Sequence, residues 1–204
     1  MKGKIPRWEW ERLLEDLNYM NLEEMRGFCR RHAIPFAIHV VSPEGKRKRS
    51  RDLDRKSIVL ERVRRFLETG EMGEPTTFAA AVCSEAPVPS KLKASDRLYY
   101  GWYDKKNEDL IGLLRRLTDD RYRNGAVARI LMREFWTSGV APTFAEFAEA
   151  WIEAEKKGLG VDRGDHPEAA WLTDRARGEA GEDWKAKRTE RARRALEVLE
   201  RYWG

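Results

Sequence analysis

The chain has 204 residues, of which 41% are hydrophobic and 37% charged, with 40 Lys and Arg against 35 Asp and Glu. This length suits one or two modest domains, and the longest apolar stretch, Phe78–Cys83, is far too short to span a bilayer. The N-terminal segment lacks the continuous apolar core of a secretory signal, so the expectation is a cytoplasmic protein with Cys29 and Cys83 as reduced thiols.

The net charge of +5 is concentrated in one place. Residues 46–65 carry ten basic and three acidic groups, and the remainder of the chain is close to neutral. A focused positive region in a balanced protein is the footprint of a polyanion site; a solvated loop followed by a solvated helix face gives the same pattern.

In chain order, Trp8, Trp10, Leu13, Leu14 and Leu17 predict an amphipathic helix starting near Pro6 and broken at Asn18 and Tyr19. Asn21 and Glu24 form a capping-box pattern, with Met20 and Met25 placed as a hydrophobic staple. The helix they open carries Leu22, Met25, Phe28 and Cys29 and is ended by Pro35. Phe36, Ile38 and Val40 alternate as in a strand, and Ser42-Pro43-Glu44-Gly45 is turn chemistry. Residues 37–51 therefore read as a protruding β-hairpin, a wing with a cationic return arm; a disordered basic loop is the alternative. A helix capped by Asp52 or Asp54 follows, with Ile58, Val59, Val63, Phe66 and Leu67 as its stripe and Gly70 as its stop.

Residues 71–94, rich in Gly, Pro, Ala and Ser, read as a linker. Beyond it, Asn107 caps one helix, Val127–Phe135 mark another, and Thr143 with Glu146 opens a third that Gly158 closes. Pro167 suits the start of a short helix through Trp171. The last helix, from about Glu182 to Tyr202, has a thin apolar face of Trp184, Leu196, Leu199 and Trp203 and an outer face crowded with Arg and Glu. The fold class is mostly α, in three parts: residues 1–70, a linker at 71–94, and a helical domain at 95–204.

The segments Leu22–Pro35 and Lys56–Leu67 resemble the two halves of a SAP module, a DNA-binding helix–extended–helix unit. The chain is similar to bacterial proteins that join such a module to a second domain of unknown function. In those, the module ends in a segment like Phe66–Glu71, and the second domain carries elements like Tyr122-Arg123-Asn124 and Trp151. The resemblance leaves residues 1–20 and 175–204 uncovered. A SAP module usually has Gly just before the second helix's lysine, whereas Asp54 stands two residues before Lys56 here, and the connection is longer.

The resemblance implies DNA binding, which helix N-termini and Lys or Arg favour through phosphate contact and counterion release. Its expected carriers are Lys46, Arg47, Lys48, Arg49, Arg51, Arg55, Lys56 and Arg62. Binding is expected to be salt-sensitive and poorly sequence-specific, with DNA favoured over RNA and residues 95–204 recruiting or dimerising. An adaptor whose basic segment meets an acidic partner or RNA is the alternative.

No catalytic or cofactor-binding pattern stands out. Cys29 and His32 share a helix without a second ligand pair, so no metal is expected. Asp119, Asp120, Asp162, Asp165 and His166 read as caps and turn residues, and Tyr99, Tyr100, Trp102 and Tyr103 as core aromatics rather than base-stacking rings. The Arg-rich last helix reads as a solvated face offset by its glutamates.

Overall fold

A computed structural model describes residues 5–104, 106–157 and 182–204. The chain is mostly α-helical with one small three-stranded sheet. It divides into two compact units that interleave along the sequence. The described part of unit 1 comprises residues 5–36, 53–75 and 182–204, and that of unit 2 comprises 37–52 and 76–157.

Unit 1 contains α1 (Arg7–Asp16), α2 (Leu22–Arg31), α3 (Lys56–Thr69) and α7 (Glu182–Trp203). Pro6 precedes α1, its fixed φ fitting the helix entry, and a 3₁₀ turn at Leu17–Tyr19 follows. The predicted capping box at α2 is present. Asn21 Oδ1 accepts from the Glu24 amide at 2.8 Å and Glu24 Oε2 accepts from the Asn21 amide at 2.7 Å. Gly70 closes α3 at φ 80°, in the left-handed region where a Cβ costs most.

The core of unit 1 joins Leu13, Leu17 and Met20 to Met25, Phe28 and Cys29 of α2 and Val59, Leu60 and Val63 of α3. The Phe28 and Phe66 rings meet edge-on at 6.0 Å. The two helices thus pack through the expected stripes. The capping expectation for α3 fails: Arg55 is the N-cap without a side-chain cap, because the Asp54 carboxylate points inward to Arg62 at 2.7 Å. Trp8 is also misread, since it lies 64% exposed off the stripe of α1.

Helix α7 belongs to this core through Ala192, Ala195 and Leu199. Several of its arginines are not part of a solvated face. Arg191 and Arg194 both converge on Asp16, whose carboxylate is 2% exposed; Arg194 reaches it at 3.0 and 3.1 Å. Arg191 also pairs with Glu15, Arg188 with Glu24, Arg201 with Glu9, and Arg31 of α2 with Glu200. The glutamates that appeared to offset this helix from within are only part of its partners; α1 and α2 supply the others.

Unit 2 contains β1 (Ala37–Val41), β2 (Arg47–Leu53, ending at the boundary), β3 (Thr77–Phe78), α4 (Glu108–Leu117), α5 (Ala126–Thr137) and α6 (Phe144–Lys156). The sheet order is β2-β1-β3, with β1 and β3 parallel and His39 opposite Thr77. Residues 71–94 are therefore not a linker, as Phe78 and Val82 are fully buried and β3 closes one sheet edge. Their apolar side chains outweigh the turn-like composition around them. The boundaries read from the sequence differ accordingly: 37–52 and 76–94 join the middle of the chain, and α7 joins the N-terminal part. The Asn107 cap and the Thr143–Glu146 capping box are present. The readings at Gly158, Pro167 and Trp171 fall outside the described residues.

Replacing Arg191 and Arg194 together with Ala leaves the Asp16 carboxylate buried and unpaired. A stability loss of about 3–5 kcal/mol is expected in a chemical denaturation titration. Arg193→Ala, which removes only exposed pairs with Glu190 and Glu197 of its own helix, is expected to leave the denaturation midpoint close to that of the unaltered protein.

Candidate nucleic-acid interface

The hairpin is built by its turn. Ser42 C=O accepts from the Gly45 amide at 2.9 Å, and the Ser42 amide donates to Lys46 C=O at 2.9 Å. Gly45 has φ 77°. This is a three-residue loop in which Pro43 presets the first turn angle and Gly45 supplies the left-handed residue that matches strand twist. It fixes the pairing of the two arms, and hence which side chains share a face.

One face is buried. Ile38 and Val40 of β1 enter the core of unit 2 with Phe78 of β3. On β2, Asp52 Oδ2 accepts from the Tyr100 hydroxyl at 2.7 Å, and Ser50 also faces that hydroxyl. Tyr100 packs edge-on against Phe78 at 5.1 Å and Trp136 at 5.5 Å. Burial, then the Asp52 hydrogen bond, push the Tyr100 phenol up to about 12. The expectation of a free wing is thus corrected: β1 is folded into a core, and only the turn and the basic arm stand out.

The opposite alternation on β2 belongs to Arg47, Arg49 and Arg51, all exposed, as are Lys46 and Lys48. Glu44 sits near these cations. Its carboxyl is held below the ordinary range by the Ser42 side chain, its own backbone and Lys48. The acidic tip thus partly offsets Lys48.

Arg55, Lys56 and Arg62, expected to extend the same site, lie in unit 1. Lys56 Nζ donates to Asn18 C=O. Arg62 donates to Pro35 C=O at 2.9 Å and pairs with Asp54, both side chains largely buried. These two cations hold α3 in place. Arg55 is half-buried at the N-cap. Of the eight expected residues, five therefore share the hairpin arm. The signal that could have separated the rest is Asp54, an acid without a capping role beside an inward-facing arginine.

Other candidates have structural explanations. Cys29 is fully buried and desolvation pushes its thiol up to about 11, which disfavours the thiolate a metal needs. The His32 ring lies between Phe28 and Phe66, at 4.4 and 5.0 Å. No group of three metal-ligating side chains occurs among the described residues. Asp119 and Asp120 are turn residues at φ 51° and 58°, and Asp162, Asp165 and His166 lie outside the described residues.

The aromatic run packs into unit 2 as expected. Tyr103 donates to Asn124 Oδ1 at 2.7 Å, so the Tyr122 hydroxyl, 2.7 Å away, donates to Tyr103. This pair fastens the Tyr122-Arg123-Asn124 segment. Burial raises both phenols above their ordinary range.

Compared with known protein families, curated protein sequences and solved structures, the chain has no match.

The Tyr100–Asp52 bond anchors the basic arm, so Tyr100→Phe is expected to lower stability by about 1–2 kcal/mol in a thermal or denaturant melt. A phenol raised from 10.0 to about 12 favours folding only while neutral. Its contribution is complete below pH 10 and is lost as pH rises toward 12. Tyr100→Phe should flatten the fall in stability over that window.

Proposed function

We propose that the protein binds nucleic acid without catalysis and without strong sequence preference, through the basic return arm of its hairpin. The observation that carries this reading is that Lys46, Arg47, Lys48, Arg49 and Arg51 are all exposed in one short segment of a chain balanced elsewhere. Contacts from such side chains neutralise phosphates and release counterions, which gives affinity without reading bases.

The packing of α2 against α3 is compatible with the SAP resemblance. The inward commitments of Lys56 and Arg62 move the proposed phosphate contacts away from α3. Recruitment or dimerisation through residues 95–204 is part of the same reading. DNA is the favoured form, which implies nucleoid association in the cytoplasm. Among the described residues, no helix is long and apolar enough to cross a membrane. The same exposed cations support a second reading, an adaptor that meets RNA or an acidic protein.

Neutralising Lys46, Arg47, Lys48 and Arg49 together should make the slope of log affinity against log salt shallower by about 3–4 on duplex DNA, or about 3 on single strands. The loss should be similar across sequences. Neutralising the exposed Lys91, Arg115, Arg116 and Lys156 removes the same charge elsewhere in unit 2 and should change the slope by less than about 1. Arg191 and Arg194 are unsuitable as controls because they hold Asp16. Equal losses from the two quadruple variants, or unchanged binding in the hairpin variant, would contradict the proposal.

A further inference from the structure

Helix α1 commits Leu13 and Asp16 to the interior of unit 1 but leaves Trp8 outside it. At 64% exposure, Trp8 is the most exposed large hydrophobic residue among those described. It borders an open cavity of about 160 Å³ between α1 and α7, whose apolar side is formed by Leu13, Ala195 and Val198. A dry cavity of roughly 150 Å³ holds one benzene ring, so this space suits a single six-membered ring. Trp8 offers such a ring an aromatic partner at the mouth.

The charged groups around the cavity are not equally engaged. Glu9 Oε1 accepts from Arg201 and Glu9 Oε2 from the Tyr202 hydroxyl, both at 2.8 Å. Both Asp16 oxygens accept from Arg194, and Arg191 adds a further donor. Glu197 accepts from Arg193. Arg12 also lines the cavity, and its side chain makes no hydrogen bond or ion pair among the described residues. It is exposed and lies four residues after Trp8, on the same face of α1. An exposed indole and an unengaged guanidinium therefore share one rim.

A guanidinium fork meets a planar carboxylate with two parallel hydrogen bonds. A doubly charged phosphate suits this rim less well. Its second charge would meet Glu9, Asp16 and Glu197, while Arg194 and Arg201 are already held by acids.

We infer that the cavity between α1 and α7 binds a single aromatic ring carrying one carboxylate, the ring against Trp8 and the carboxylate on Arg12. Two sources present that chemistry: a small aromatic acid, and the C-terminal aromatic residue of a polypeptide. The cavity belongs to unit 1 and the basic arm to unit 2, so this ligand is separate from the proposed nucleic acid.

The test follows the tryptophan indole N–H signals of the full chain by NMR, with the Trp8 signal identified as the one lost in Trp8→Phe. The probes are phenylacetate, acetate, benzyl alcohol, phenyl phosphate, and the peptide Gly-Gly-Phe with its C-terminus free or amidated. Phenylacetate should shift the Trp8 signal saturably and bind several-fold more tightly than acetate, benzyl alcohol or phenyl phosphate. Arg12→Gln should weaken phenylacetate about tenfold and leave benzyl alcohol unchanged, with the other indole signals reporting an intact fold. Trp8→Ala, read by saturation transfer to the ligand, should weaken both.

Free Gly-Gly-Phe binding more tightly than phenylacetate, with the amide inactive, assigns the site to a chain terminus; the reverse order assigns it to a small acid. Acetate or phenyl phosphate binding as tightly as phenylacetate would overturn the inference. So would unchanged phenylacetate binding in folded Arg12→Gln, or a Trp8 signal that millimolar phenylacetate does not move. Each of these results leaves the nucleic-acid proposal standing.

Discussion

The two-residue period of β2 is the constraint on which the functional reading depends. A strand cannot send neighbouring side chains to one face, so anchoring Ser50 and Asp52 at the Tyr100 hydroxyl determines where the arginines go. The anchor is a hydrogen bond to a carboxylate backed by a ring packed on Phe78 and Trp136, and it is held at both ends. The Ser42–Lys46 turn sets the pairing from the other direction. A slip of one residue would turn three guanidinium groups toward an apolar core, at a desolvation cost far above any gain from contact. The exposure of the basic arm is therefore a consequence of what is buried behind it.

A second constraint acts in unit 1. Asp16 is a buried acid with two arginine partners from the far end of the sequence. Removing either side of such an arrangement is costly, although a wholly apolar replacement could be neutral. The ion pairs act alongside the apolar contact of Ala192, Ala195 and Leu199 in specifying where α7 packs. The balanced charge of α7 thus serves the fold, which leaves the exposed net positive charge of the hairpin as the part offered to a ligand.

Local signals were well preserved in the sequence. The caps at Asn21, Asn107 and Thr143, the stop at Gly70, the turn at Pro43–Gly45 and the facing stripes of α2 and α3 all depend on residues close in sequence, and all are present. What could not be read depends on distant partners. Nothing local marks Arg191 as the partner of Asp16, or Phe78 as a member of the same core as Ile38. The Gly- and Pro-rich composition of 71–94 concealed a two-residue strand because parallel pairing requires no local turn. The candidate site was legible as a charge window, but its division between two units was not. Lys56 and Arg62 look like their neighbours in sequence and differ only in what they touch.

The central claim is that phosphate contact is confined to the outward face of the hairpin arm. Hydrogen–deuterium exchange of the whole protein, with and without saturating oligo-dT, tests this most directly because it locates the contact without altering a residue. The account predicts slowed exchange over residues 46–51 and no change over 55–69. Slowed exchange at the start of α3 with the hairpin unchanged would contradict it.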